Sequence, residues 1–260
     1  MGKFDGILLA TDWDGTFYYN GSLLEDNLKA IRYFEENGGK FTVCSGRYFE
    51  FIKKFSKEVP TNTYLVCYNG AYIIDINNND ILYEGFCDDY VFDIVDRLFA
   101  AGLKYNDISI YHNETIEPVF LTIDEYRKNL LEIKKKNVYK IILRAKTPED
   151  ARLGVIEANK MDLGDYIAVR SWEISLELIK RENSKGVALR RVADKIGAQL
   201  VVSVGDYEND IEMLKASDIG YAVGNAIDTL KAVADRVTVS ADKSAIAHII
   251  SDLEREFAHN

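Results

Sequence analysis

Residues 7–16 read ILLATDWDGT. The first five, Ile7–Thr11, are apolar or small with no polar alternation, the pattern of a short strand buried on both faces. Two aspartates one residue apart follow, then Gly15-Thr16. In an extended chain residues i and i+2 project to the same side. Asp12 and Asp14 therefore face one spot just past the strand end, and Trp13 faces the other way. Gly15 lets the chain turn sharply, and Thr16 can hydrogen-bond locally. Two like charges so placed repel each other unless a cation sits there, and a hard divalent ion with oxygen ligands suits them. In an open parallel α/β sheet, ligands bind outside the carboxyl ends of the strands.

Outward from this stretch, apolar runs alternate with amphipathic ones. Leu24, Leu28, Ile31 and Phe34 recur at helical spacing and predict a helix ending at Gly38-Gly39. FTVCSG (Phe41–Gly46) predicts a second buried strand, followed by a helix from about Tyr48 to Lys57. YLVCYNG (Tyr64–Gly70) predicts a third strand, and AYIIDINNNDILYEG a hairpin around Asn77–Asn79. The last third repeats the style. A helix through Leu189, Val192 and Ile196 leads to the strand QLVVSVGD and the helix NDIEMLKAS. The strand DIGYAVG and a helix from about Ala226 come next, and a final helix carries Ile246, Ile249, Ile250, Leu253 and Phe257 on one face. Such alternation predicts an α/β fold, a doubly wound, mostly parallel sheet with a Rossmann-like core. The middle differs: helix, strand, strand, helix, strand, helix, strand, strand. That order predicts an antiparallel sheet with helices on one face, an α+β domain inserted into the first. The expected division is 1–84 with 181–260 for the core and 85–180 for the insert.

Three further stretches carry polar groups at strand or helix ends. In SVGDYENDIEML, a strand ends at Gly205-Asp206, and Asp206 and Asp210 are four apart, on one face of a nascent helix. Asp206 suits a metal ligand, and the Asn209 amide can donate to an anionic oxygen. In CSGR, the Ser45 hydroxyl and the backbone N–H of Gly46 precede a helix and make an anion site; Arg47 is placed to hold this loop or to meet substrate. In ENSKGVAL, Lys185 lies in the first turn of a helix. A cation is unfavourable there, which a bound anion or neighbouring carboxylates would explain. Taken together, a divalent cation among carboxylates, with Ser, Lys and Asn donors, is an arrangement suited to a phosphoryl group.

Composition narrows the classes. The chain has 260 residues, 47% of them hydrophobic, with a formal net charge of -10. That length suffices for one large or two modest domains, and the acidity argues against a nucleic-acid backbone as partner. The Lys134-Lys135-Lys136 run reads as a solvated helix end. Three cysteines, Cys44, Cys67 and Cys87, with no C-x-x-C pair read as reduced thiols. The start MGKFDGILLATD has no signal-peptide or myristoylation pattern, and no apolar run approaches a membrane span. A cytoplasmic protein with no membrane partner, monomeric or weakly homo-oligomeric, is the expectation.

DWDGT, SGR, SKG and GDYEND, in that order, resemble the haloacid-dehalogenase-like superfamily, and within it the Cof-type, sugar-phosphatase-like hydrolases. YNGAYI and AVGNAIDTLKAVAD add to the likeness, which covers essentially the whole chain. The inserted middle matches the cap of that subgroup. The resemblance implies a Mg2+-dependent phosphatase of small phosphomonoesters, such as sugar phosphates or related metabolites. It implies Asp12 as the nucleophile that becomes an aspartyl-phosphate, and Asp14 as the group that protonates the leaving alcohol and then deprotonates water. It implies Mg2+ on the Asp12 carboxylate, the Asp14 main-chain carbonyl and Asp206, with Asp210 behind them or on a metal-bound water. Ser45, Gly46, Lys185 and Asn209 would grip the phosphate. Tyr111, His112 and Asn113 are candidate cap positions for substrate contact, with His112 equally readable as a surface residue. A phosphomutase or phosphotransferase on the same scaffold, or a non-catalytic phospho-ligand-binding regulator, are the alternatives. Three departures stand out. Trp13 is bulkier than the usual aliphatic residue, and Ser244-Ala245 replaces an acidic-Gly pair. The approach LELIKRENSKG lacks the Pro and Gly often found there.

Overall fold

The structure is a computed structural model and describes residues 2–257. Chain contacts divide it into two units, Met1–Tyr83 with Lys185–Asn260, and Glu84–Ser184. In chain order the first unit opens with β1 (Ile7–Thr11), β2 (Tyr18–Tyr19), β3 (Ser22–Leu23), α1 (Glu25–Glu36), β4 (Lys40–Val43) and α2 (Phe49–Lys53). It continues through β5 (Leu65–Cys67), β6 (Tyr72–Asp75) and β7 (Asp80–Glu84). The second unit holds α3 (Tyr90–Ala100), β8 (Tyr105–His112), β9 (Val119–Leu121) and α4 (Ile123–Ile133), then β10 (Val138–Ala145), α5 (Pro148–Lys160), β11 (Tyr166–Val169) and β12 (Ser175–Lys180). The first unit resumes with α6 (Lys185–Ile196), β13 (Leu200–Gly205), α7 (Ile211–Ala216) and β14 (Ile219–Ala222), and ends with α8 (Asp228–Lys231), β15 (Arg236–Val237) and α9 (Ala245–Phe257).

The first unit is built on a five-stranded parallel sheet of order β15-β14-β13-β1-β4. All five residues of β1 are buried, as an apolar strand between two neighbours requires. Its register with β13 pairs Thr11 with Val204, so the chain leaves both strands at one level, with Asp12 and Asp206 just beyond. Cys44 and Cys67 are fully buried core residues.

Several details differ from the sequence expectation. The third strand stops at Cys67 because Tyr68, Asn69 and Gly70 all take positive φ, at 51°, 62° and 121°. It pairs antiparallel with β6 in a separate three-stranded sheet, and a bridge from Val66 to Cys44 joins it to the end of the parallel sheet. The helix expected to Lys57 closes at Lys53. Beyond it the N–H groups of Lys54, Phe55 and Ser56 bond three residues back, a tighter winding that seats Phe55 on Trp13 at 4.9 Å. The helix expected from Ala226 is only Asp228–Lys231. A short β2–β3 hairpin was not anticipated. Its turn is Asn20-Gly21, with φ of 48° and 81°, a strong two-residue hairpin signal.

Before α9, Ser244 takes the left-handed conformation, φ 57° and ψ 50°, which an L-residue adopts only at a cost. Ser244 thus holds a backbone shape that glycine accepts freely. Ser244→Gly is expected to raise stability by about 0.5–1 kcal/mol in urea unfolding. An unchanged or lowered midpoint would mean that the serine side chain is itself needed.

The second unit is a five-stranded antiparallel sheet of order β11-β12-β10-β8-β9. Ile108, Ile110, Ile141, Leu143, Leu176 and Leu178 form one apolar core with Ile94, Val95 and Leu98 of α3, Tyr126 of α4 and Ala151 of α5. The inserted α+β fold read from the sequence is therefore present. Alternate residues hold a different chemistry: Lys140 and Glu177 form a wholly buried ion pair at 2.6 Å. Thr122 and Glu125 make a reciprocal cap at the start of α4. Lys135 in the lysine run pairs with Glu132 at 2.7 Å, on an exposed helix end as expected.

Candidate active site

β1 delivers Asp12 into a buried position, where its N–H bonds the Val204 carbonyl at 2.9 Å. Lys185, the first residue of α6, reaches the same point. Its Nζ lies 2.5 Å from Asp12 Oδ1 and 2.6 Å from Asp210 Oδ1. Neighbouring carboxylates therefore account for a cation at this helix start. The other Asp210 oxygen accepts the N–H groups of Asp206 and Tyr207 at 3.0 and 3.2 Å, which ties the loop after β13 into one turn. Thr16 does not bond locally; its hydroxyl donates to Asp206 Oδ1 at 3.2 Å. Glycine is required where these groups converge. A Cβ on Gly15, whose φ is +80°, would lie 2.3 Å from Asp206 Oδ2, and one on Gly205 would lie 2.5 Å from the Asp210 carboxylate.

One oxygen each of Asp12, Asp206 and Asp210 lie within 4.8 Å of one another. Three carboxylates against one ammonium leave two formal negative charges in a small buried volume. Burial, opposed by Lys185 and reinforced by the other aspartates, holds the Asp12 carboxyl well above its ordinary range. Burial and the charge of Asp210 push Asp206 up to about 7. Burial alone would lower the Lys185 ammonium, but Asp12 and Asp210 outweigh it and hold it above its ordinary value. A hard divalent cation fits this donor set: all oxygen, closely spaced and short of positive charge.

Asp14 is placed differently. Its carboxylate is half-exposed and turned to Arg47, which donates from Nε to Oδ2 and from Nη2 to Oδ1, both at 2.8 Å. Trp13 is fully buried on the opposite side, against Phe17, Tyr18 and Phe55. The Ser45 hydroxyl accepts the Arg47 N–H at 3.0 Å, while its backbone bonds the Val66 carbonyl and the Asn69 N–H. Ser45 does not cap a helix, since α2 starts only at Phe49 and its flanking residue is Tyr48. Gly46 lies between, in the bend. Asn209 donates its amide to Asn69 Oδ1 at 3.1 Å.

Asn69 and Asn225 were missed as site residues. Asn69 is wholly buried and left-handed, and its N–H reaches Ser45. Asn225 donates to the Gly15 carbonyl at 2.9 Å and accepts the Ala241 N–H at 2.8 Å, which fixes the turn after Asp14. An asparagine ahead of a glycine after a buried strand is the signal for the first, and Gly-Asn after a strand for the second. In the second unit, His112 accepts the Glu114 N–H on Nδ1, and partial burial holds its imidazole below the usual value. Tyr111 lies under Lys140, whose Nζ is 4.8 Å from the ring centre.

A parallel sheet with carboxylates gathered past its strand ends and an antiparallel insert defines a class of α/β hydrolase. Residues 9–250 match the family of haloacid dehalogenase-like hydrolases, and the chain belongs to it. It is 24% identical to the 5-amino-6-(5-phospho-D-ribitylamino)uracil phosphatase YitU of Bacillus subtilis, over 94% of this chain and 96% of the relative. It is 27% identical to the phosphatase YwpJ of the same organism, over 95% and 99%. The solved structure of the HAD subclass IIB sugar phosphatase BT4131 superposes with a TM-score of 0.75 at 17% identity, over 94% and 98%. The family read from the four motifs is thus borne out. No helix among the described residues is long and apolar enough to cross a membrane.

Proposed function

We propose that this chain is a Mg2+-dependent phosphatase of small phosphomonoesters, sugar phosphates or related metabolites, working through an aspartyl-phosphate on Asp12. The observation that carries the reading is Lys185, buried and bonded at once to Asp12 and Asp210 beside Asp206. This leaves one nucleophilic carboxylate facing a cluster that calls for a further cation. YitU and YwpJ are phosphatases by name, which agrees.

In the first step an Asp12 oxygen attacks phosphorus, the bond from phosphorus to the ester oxygen breaks, and Asp14 gives its proton to the departing alkoxide. In the second, water attacks the phosphoryl group, the bond to Asp12 breaks, and Asp14 takes a proton from the water. Lys185 and Asn209, with the Ser45 hydroxyl and the Gly46 N–H, hold the phosphoryl oxygens. Asp12, the Asp14 carbonyl and Asp206 would hold Mg2+, with Asp210 behind them; the ion supplies charge neutralisation at the phosphoryl oxygens. The second unit, as the cap, supplies the residues that select the rest of the substrate.

The test is phosphate release from a panel of sugar phosphates, sugar acid phosphates, nucleotides and vitamin phosphates, each with Mg2+ and with EDTA. Turnover that depends on Mg2+ is expected, and the ranking gives the substrate class. One phosphate released per chain and no more, or isomeric sugar phosphate formed faster than free phosphate, would overturn it.

A further inference from the structure

Arg47 is fixed from three directions. Its guanidinium forks onto both oxygens of Asp14 at 2.8 Å, and among the described residues no other group donates to that carboxylate. Its backbone is pinned by the Ser45 hydroxyl, which accepts its N–H at 3.0 Å, and by the Tyr68 N–H, which donates to its carbonyl at 2.9 Å. The guanidinium lies over the Phe51 ring, with Cζ 4.6 Å from the ring centre. Phe51 meets Phe55 at 5.6 Å, and Phe55 meets Trp13 at 4.9 Å and Tyr18 at 5.4 Å. Trp13 in turn stacks on Tyr18 at 5.3 Å, 14° from parallel. A row of aromatic rings therefore starts at the residue between the two aspartates and returns, through Arg47, to the second of them.

We infer that Arg47 is a positioning residue for the leaving-group step, setting the direction of the Asp14 carboxylate, with Phe51, Phe55 and Trp13 as its support. The inference rests on the phosphatase reading. A planar fork adds geometric definition, which a point charge does not. Proton transfer needs donor and acceptor atoms at about 2.6–3.2 Å, and a half-exposed carboxylate with no partner spends much of its time elsewhere. The leaving oxygen would use one Asp14 oxygen while Arg47 keeps the other. The bulky Trp13 then has a consequence for the site even though it points away from it.

The test compares two leaving groups. An alkoxide needs the Asp14 proton as its bond to phosphorus breaks, whereas p-nitrophenolate departs without it. The value of kcat/KM, which reports steps up to the phosphorylation of Asp12, is measured for the best sugar phosphate of the panel and for p-nitrophenyl phosphate. In Arg47→Ala the ratio of the two is expected to fall roughly 30-fold, less than the ~10^2–10^4-fold of a whole general-acid contribution because Asp14 itself remains. Phe51→Ala, which removes the ring under the guanidinium, is expected to move the ratio the same way by a smaller factor. Circular dichroism and urea midpoints establish that both variants fold. An equal fall on both substrates would make Arg47 a phosphate-gripping residue, and a ratio unchanged or raised would leave it no part in the step; either overturns the inference alone. A wild type without Mg2+-dependent turnover overturns the phosphatase reading and the inference with it.

Discussion

Asp12→Asn is expected to lower phosphate release by at least ~10^4-fold, because removing a covalent nucleophile leaves only binding and electrostatic help. The protein should still fold. Asparagine is nearly the size of aspartate, and the backbone bond from residue 12 to the Val204 carbonyl does not involve the side chain. Lys185 would keep Asp210 as its partner at 2.6 Å, so no ammonium is stranded. Burial disfavours the ionised form of Asp12, and a neutral amide escapes that penalty while giving up the ion pair with Lys185. These effects oppose each other, and the urea midpoint should move by less than about 1 kcal/mol in stability. Activity within tenfold of wild type, with folding intact, would remove Asp12 from the nucleophile's role.

How much of this was visible in the sequence follows from which physics is local. The unalternated ILLAT and LVVSVG marked buried parallel strands because burial on both faces leaves no room for polar alternation. Asp12 and Asp206 lay past strand ends for the same reason: a strand's exit fixes where its next residue stands. The meeting of Lys185 with Asp12 spans residues 173 apart, and no local pattern encodes it. Sequence reasoning had only the oddity of a lysine at a helix start. Asn69 escaped notice because its role depends on three consecutive positive φ values, which shortened the strand and turned the buried side chain toward Asn209. The turn of the Asp14 carboxylate to Arg47 was equally out of reach. Strand geometry sends Asp12 and Asp14 to one side, but the turn at Gly15 begins at once and lets the two diverge. The aromatic row from Trp13 to Phe51 depends on the tighter winding after α2, which helical periodicity does not foresee.

Lys185→Met should be the most destabilising of these changes, with a loss of about 3–5 kcal/mol in urea unfolding at neutral pH in EDTA, the usual result of removing one partner from a buried ion pair. Methionine fills a similar volume, so the loss is electrostatic: Asp12 and Asp210 would remain buried beside Asp206 with no cation among them. The dependence on pH has a definite sign. In the wild type, Asp206 is pushed from 3.8 up to about 7, and Asp12 is raised as well. A carboxyl raised in the folded state holds its proton after the unfolded chain has released one. The folded state then binds more protons between about pH 4 and 7, so its contribution to stability is present at low pH and falls as pH rises through that window. Without Lys185 both carboxyls rise further, and the deficit of the variant should be larger at pH 8 than at pH 5.5. Mg2+ should narrow the gap at pH 8, because a bound cation replaces the missing charge and adds stability in proportion to its occupancy. A loss of the same size at both pH values, indifferent to Mg2+, would mean that Lys185 acts by packing alone. It would also mean that the carboxylate cluster carries no charge imbalance for a metal ion to relieve.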